Sequence, residues 1–502
     1  MSDSYDYDVI VVGTGYGGAS AAESLASAGL KVGILERGTW WGTFEGHRPL
    51  PETIPQIVAA LAALNLSGFG RSLSVPISRR GLLEFSLHGG TIVVNSSAVG
   101  GNSVVSGAYL HRPAPQFYKA LPPELTEAEL APHYERLERA LQVSPGPQDE
   151  RKLAVLKALT DKQEWKLGPT PQAIRWESDD EASRPPCTQC NLCMFSCNVG
   201  AKLGMDRTLI PTAIKAGAVL HDLCTVQTIA RVAGGYEVRF HDGREGRDTV
   251  LRAPKVVMSA GTMNTLKILL RSTVTGSLGA IPMLGKRFSL AGDTVAFYRV
   301  LGDILPETVT GHIMDAQIRV PGSGGEFDHQ ILCATGPIIA GSWLLRRLQG
   351  RRTLALLGFG PDSMDGQVNW KGHGVVVRHE PQAVVRRIQA THDRIAQAFG
   401  RKKPVRDADP GKRVRPWISF HPLGGCCMAR DESRGVVDFK GEVFGHPGLY
   451  VADASVFPTM TIAGPQLSVS ALASWIAERI IDDAGRKRTL PRFPLLASTK
   501  TI

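Results

Sequence analysis

Residues 9–12, Val-Ile-Val-Val, form an unbroken apolar run with acids before it and glycines after it. A run that short predicts a strand buried on both faces. Small and apolar residues from Ala19 to Ala28 then predict a helix, and a second apolar stretch, Val32 to Leu35, predicts a strand that ends at Glu36. Thr91-Ile-Val-Val94 reads as a further strand feeding the small-residue turn Ala98-Val-Gly100-Gly101-Asn102-Ser103. The spacing of Leu130, His133, Tyr134, Leu137 and Leu141 predicts a helix within 126–141. Residues 216–240 carry strand signals with a hairpin turn at Gly234-Gly235. Lys255-Val-Val-Met258 is a strand running through Ala260-Gly261 into a helix at 263–270. Leu449-Tyr-Val451 and residues 467–481 repeat that strand-to-helix order.

Between these segments the pattern changes. Residues 39–89 are irregular, with an Ala/Leu-rich piece at 57–66 that has helix-like spacing and also suits a lid. A polar stretch to Arg184 looks like an excursion. From 275 to 415 short alternating strands with many Gly and Pro residues mark a separate, largely β unit.

The first turn carries specific chemistry. Gly13 turns the chain sharply, Gly15 lets backbone approach a pyrophosphate, and Gly18 permits close packing of helix on strand. The helix start directs free N–H groups at the phosphates, and Glu36 stands where a ribose hydroxyl would sit. An acid there favours an unphosphorylated ribose, so FAD or NAD rather than NADP.

At 502 residues the chain exceeds one ordinary core. Its apolar and charged fractions, 43% and 21%, suit a globular protein, and no apolar run reaches the 18 residues of a membrane span. The acidic opening to Asp8 lacks the features of a signal peptide, so the expected location is cytoplasmic. Net charge is +10, with basic pairs at Arg346-Arg347, Arg351-Arg352, Arg401 to Lys403 and Lys487-Arg488. Without interleaved aromatics these read as solvated faces, and no nucleic-acid partner is expected. The apolar segment 337–345 running into Arg346 reads either as a peripheral membrane flap or as a core segment.

His421-Pro-Leu-Gly-Gly425, Gly445 through Asp453-Ala454-Ser455 to Pro458, and Gly464-Pro465 complete a set with the opening fingerprint and Val99 to Ser103. The set resembles the glucose-methanol-choline flavin oxidoreductases, most of all their cholesterol-oxidase-like bacterial branch. The resemblance implies an α/β fold with a Rossmann-like FAD-binding domain, discontinuous in sequence (1–46, 88–110, 185–274 and 416–485). A second, largely β-sheet substrate-binding domain and lid would take 47–87, 111–184 and 275–415.

It implies FAD as cofactor, a bulky, fairly apolar small-molecule alcohol, sterol-like or polycyclic, as substrate, and dioxygen or an electron-acceptor protein as oxidant. His421 matches the family's acid/base beside the flavin, a task that suits imidazole. Asp453 matches an acid near the ribityl chain and alternatively caps the next turn. Val226, Ala260, Gly261, Ala454 and Pro465 match nucleotide- and flavin-lining stretches. The chain departs from the family at Gly464, where an Asn or His usually shares the substrate oxygen. Gln466, Thr461 or the substrate domain would supply the polar group, with Gln466 taken as the candidate. Otherwise the flavin site serves altered chemistry, as an isomerase, a reductase or an electron-transfer protein.

Cys187, Cys190, Cys193 and Cys197 have the spacing of an iron–sulfur ligand run. Zinc and packed reduced thiols are the alternatives. A cluster would make the protein a dehydrogenase with an external acceptor.

Overall fold

The computed structural model describes residues 5–487 except 43–47, 69–70, 89, 149, 178–184, 191, 195–196, 292, 300–313, 323–326, 336–352, 373, 381 and 399–416. The arginine pairs at 346–347 and 351–352, the basic run 401–403, Arg488 and the apolar segment 337–345 lie outside the described residues.

Five parallel strands form the nucleotide sheet, in the spatial order Val219–His221, Val32–Leu35, Val9–Val12, Lys255–Met258 and Leu449–Val451. Val219–His221, Lys255–Met258 and Leu449–Val451 arrive from distant parts of the chain, and every residue of the other four strands except Lys255 is buried, while the edge strand Val219–His221 is half-buried to exposed. Both faces are therefore covered, as a run of Val, Ile and Leu requires. The Tyr16–Ser27 helix packs against the Gln466–Asp483 helix, so the opening turn and the end of the chain close over the same strand ends. Gly18 lets the helix lie against the first turn, because a Cβ there would overlap the Gly13 carbonyl, and a Cβ at Gly17 would overlap the Ala452 carbonyl.

A three-stranded antiparallel meander, Cys224–Val232, Gly235–Asp242 and Arg247–Ala253, flanks this sheet and contains the expected Gly234-Gly235 turn. The helix expected within 126–141 is Glu127–Ala140, capped by the Thr126 side chain on the Glu129 N–H.

A further five-stranded sheet is formed by Thr294–Arg299, Thr353–Phe359, Phe327–Thr335, Ala316–Pro321 and Lys166–Pro169. Leu156, Leu159, Ile395 and Ala396 pack on its outer face. The last two belong to the 17-residue helix Gln382–Ala398, in a region where only strands were expected. Its apolar residues Val384, Val385, Ile388, Ile395 and Ala396 fall on one helical face, and that face, not alternation, governs the segment.

The 57–66 piece is likewise not one helix. Thr53 and Gln56 form a capping box that starts Ile54–Ala59, and the chain then enters the strand Leu61–Gly68, paired with Leu83–His88 and Arg71–Pro76. The polar excursion contains the helix Glu150–Asp161 and contributes the strand Lys166–Pro169, paired with Ala316–Pro321. No helix among the described residues is long and apolar enough to cross a membrane.

Candidate active site

One cavity of about 310 Å³ runs from Glu36 to His421 across the carboxyl ends of the parallel strands. Gly13, Gly15, Glu36, Gly101, Asn102, Val226, Ala260, Gly261, Asp453, Ala454, Pro465, Gln466 and His421 all line it. Gly18, Gly100 and Ser103 do not, and they shape the turns behind it. Gly100 takes φ +99°, and the Ser103 hydroxyl ties its carbonyl to the Met205 N–H.

At the nucleotide end, a Cβ on Gly15 would meet nothing within 4 Å, so the backbone there faces open space at the start of the Tyr16–Ser27 helix. Glu36 is buried and accepts hydrogen bonds from Thr14 N, Thr14 Oγ1 and Gly38 N. Burial raises its carboxyl above the usual range, and those bonds work against the shift. Asp453 is also buried and raised by desolvation. One oxygen accepts from Ser455 N and Oγ, the other from Thr265 Oγ1 at 2.5 Å. It therefore caps the turn at 454–456 while lining the cavity.

At the other end, His421 lies between two strands of different sheets. Trp417–Ser419 pairs in parallel with Thr91–Ser96, and Leu423–Gly425 pairs with Lys286–Ser289. A crossover clamped on both sides fixes the imidazole. Asp293, bridged through its backbone to Ile418, places Oδ1 3.2 Å from His421 Nδ1, and its Oδ2 accepts the Phe420 N–H at 2.6 Å. A carboxylate accepts only, so Nδ1 carries the proton and Nε2 the lone pair. That Nε2 faces Tyr109 Oη at 3.1 Å and Gln466 Nε2 at 3.4 Å. Met194, Met314 and Leu357 supply apolar walls, and the Phe359 ring meets His421 edge-on at 5.3 Å. Thr461 does not take part: its hydroxyl turns to the Ala463 carbonyl.

Asp293 and Tyr109 escaped the reading of the sequence. Asp293 sits in a stretch read only as strand-rich, and nothing local marks its pairing with a histidine 128 residues away. Tyr109 is a few residues past the second glycine turn, and its proximity to the cavity was the available signal.

The four-cysteine run does not assemble as a ligand set. Among the described residues no group of three or more His, Cys, Asp or Glu side chains is placed to hold a metal. Burial pushes the Cys187 thiol up to about 11 and the Cys193 thiol higher. The segment has another physical role. Lys202 is buried and donates from Nζ to the carbonyls of Val104, Ser106 and Cys193, tying the run to the wall of the cavity. Cys197 Sγ accepts from the Lys202 N–H.

The GMC oxidoreductase family models match residues 7–291 and 365–473. The chain belongs to the GMC oxidoreductase family. It is 28% identical over 524 residues to an uncharacterized GMC-type oxidoreductase of Mycobacterium tuberculosis, covering 94% of this chain and 76% of that one. A cholesterol oxidase of the same organism is 25% identical over 558 residues, covering 93% and 90%. Among solved structures, a formate oxidase of Aspergillus oryzae superposes with a TM-score of 0.69 at 15% identity, covering 97% of this chain and all of that one, a likeness of fold.

GMC oxidoreductases are FAD-dependent enzymes acting on CH–OH groups, and the cavity fits that cofactor. Open space at Gly15, the helix start beside it, and buried Glu36 suit a pyrophosphate and a ribose. Bound FAD supplies the two-electron oxidant.

Proposed function

We propose that this GMC oxidoreductase oxidises the hydroxyl of a bulky, fairly apolar alcohol, sterol-like or polycyclic, to a carbonyl. In this reading His421 takes the hydroxyl proton and dioxygen is the final acceptor, giving hydrogen peroxide. The observation that carries it is the orientation of His421: Nδ1–H is committed to Asp293, so the basic Nε2 faces the cavity. Met194, Met314 and Leu357 beside it favour an apolar substrate body, whose burial contributes about 25 cal/mol per Å². The cholesterol oxidase similarity supports the same class. Dioxygen is preferred over an acceptor protein because the similar mycobacterial cholesterol oxidase is an oxidase by name.

The experiment is to supply purified holoprotein with cholesterol or 1-dodecanol in air and measure carbonyl product and peroxide together. Equal amounts of both support the reading. Carbonyl formed only with an added dye acceptor shifts the assignment to a dehydrogenase. Retained flavin with no product from either alcohol favours the altered chemistry that Gly464 suggests.

A further inference from the structure

Two donors crowd one nitrogen at the end of the cavity. Tyr109 Oη and Gln466 Nε2 lie at 3.1 and 3.4 Å from His421 Nε2, the ring atom left without a proton. Donors converging on an acceptor at a cavity wall are also placed to converge on an oxygen inserted between them. A substrate hydroxyl in that position donates to Nε2 and accepts from its two neighbours.

We infer that Tyr109 is a catalytic residue, donating a hydrogen bond to the substrate oxygen in place of the Asn or His absent at position 464. The inference rests on the alcohol-oxidation reading above and names the group that completes its site.

Space supplies the first argument. A Cβ at Gly464 would overlap both Tyr109 Cε2 and Gln466 Oε1. The Tyr109 ring thus occupies the volume that a side chain at 464 would need, and the two arrangements exclude each other. Glycine at 464 is then a requirement of the tyrosine, not a lost function.

The tyrosine is also held in place. It is buried, its backbone bridges to Gln172, and its ring meets Phe359 and His111 at 6.0 and 6.1 Å between centroids. The residue before it, Ala108, adopts φ +62°, a left-handed conformation that L-residues with a Cβ rarely hold. That turn directs the Tyr109 segment toward His421.

The protonation state suits a donor. Burial raises the Tyr109 phenol well above its ordinary value, so it keeps its proton throughout the working range. Gln466 Oε1, buried with no hydrogen-bond partner among the described residues, leaves one further acceptor at the same point.

In the step itself, the O–H bond of the alcohol breaks and its proton passes to His421 Nε2. The C–H bond would break with its electron pair leaving as hydride to the two-electron oxidant that bound FAD would supply, and the carbon–oxygen double bond would form. Tyr109 keeps its proton, and its hydrogen bond strengthens as negative charge gathers on the oxygen.

Tyr109→Phe is the direct test, because it keeps the ring that fills the space beside Gly464 and deletes only the hydroxyl. In anaerobic stopped-flow reduction with cholesterol or 1-dodecanol, the limiting rate is expected to fall about 10²-fold. FAD content and Tm should stay at the wild-type value, and the apparent Kd for the alcohol should change less than threefold. A limiting rate within threefold of wild type overturns the inference, as does a loss explained wholly by lost FAD.

A second pair of variants tests the exchange of space. Tyr109→Ala combined with Gly464→Asn should reduce at least tenfold faster than Tyr109→Ala alone, because the amide regains the place of the phenol. No recovery in a double variant that holds FAD contradicts the substitution argument. If neither alcohol reduces wild-type flavin, the oxidation reading itself fails and takes this inference with it. Reduction of wild type and Tyr109→Phe at equal rates removes only the inference.

Discussion

Asp293 Oδ1 and His421 Nδ1 stand 3.2 Å apart, and the second oxygen of Asp293 accepts the Phe420 N–H one residue before the imidazole. One carboxylate therefore fixes both the backbone leading into His421 and the tautomer of its ring. In Asp293→Asn the amide oxygen is retained by the Phe420 N–H, which turns the NH₂ toward Nδ1. That favours the tautomer with its proton on Nε2 and removes the base. The expected result is a fall in kcat of about 10²- to 10⁴-fold with FAD content retained and an increased solvent deuterium isotope effect. A variant with normal kcat would show that His421 does not need the carboxylate.

Gly464→Ala places a methyl group against the Tyr109 ring and the Gln466 amide. Overpacking at such a site costs about 1–3 kcal/mol. Activity should fall further than this stability loss explains, because the displaced groups are those beside His421 Nε2. Thermal melting compared with turnover checks it, and an unchanged turnover number would place the substrate elsewhere in the cavity.

The cysteine run should prove structural. Cys190→Ser is expected to keep FAD and turnover, and the wild-type protein to contain well under one iron per chain. Lys202→Met is the damaging change, since it strands three carbonyls that now accept from Nζ. A loss of about 3 kcal/mol or more follows from leaving such groups unpaired. Denaturant titration measures it, and stoichiometric iron with acid-labile sulfide would restore the cluster.

The nucleotide end was legible because its signals are local. A buried strand, three glycines at fixed spacing and an acid at the next strand end occupy residues 9–36, and each residue's task is set by its immediate neighbours. His421 was legible through its Pro-Leu-Gly-Gly context. Gln466 was reached through its place beside Gly464-Pro465, but Tyr109 and Asp293 were not, because they come from distant parts of the chain and meet His421 only through tertiary packing. The Gln382–Ala398 helix was missed for another reason. Its helical apolar stripe lies among Gly- and Pro-rich strands, and the composition of the surroundings masked the period. The cysteine spacing left a cluster, zinc and packed thiols open, since ligand spacing says nothing of whether sulfurs converge, and among the described residues no group is placed to hold a metal.

Three buried histidines predict acid lability. Desolvation pushes His111 and His392 down to about 3 and His88 to about 4, against 6.5 in the unfolded chain. With the folded pKa depressed, the neutral form is favoured in the fold. Their contribution is complete above pH 6.5 and is lost as pH falls toward the folded values, at about 1.4 kcal/mol per pH unit for each group. His392, bonded to the Tyr298 hydroxyl at 2.6 Å, offers a clean comparison. In His392→Gln the fall of stability between pH 6 and 4 should be shallower than in wild type by about that amount per unit. Parallel curves would mean that His392 does not titrate on unfolding.

The central claim, that His421 is the base in oxidation of an apolar alcohol, is tested most directly by anaerobic stopped-flow absorbance at about 450 nm. Wild-type protein and His421→Gln, matched for FAD content, are mixed with cholesterol or 1-dodecanol. The account predicts bleaching of the wild-type flavin and a limiting rate at least 10²-fold lower in the variant. Equal rates in the two proteins, or a wild-type flavin that stays oxidised with both alcohols, would contradict it.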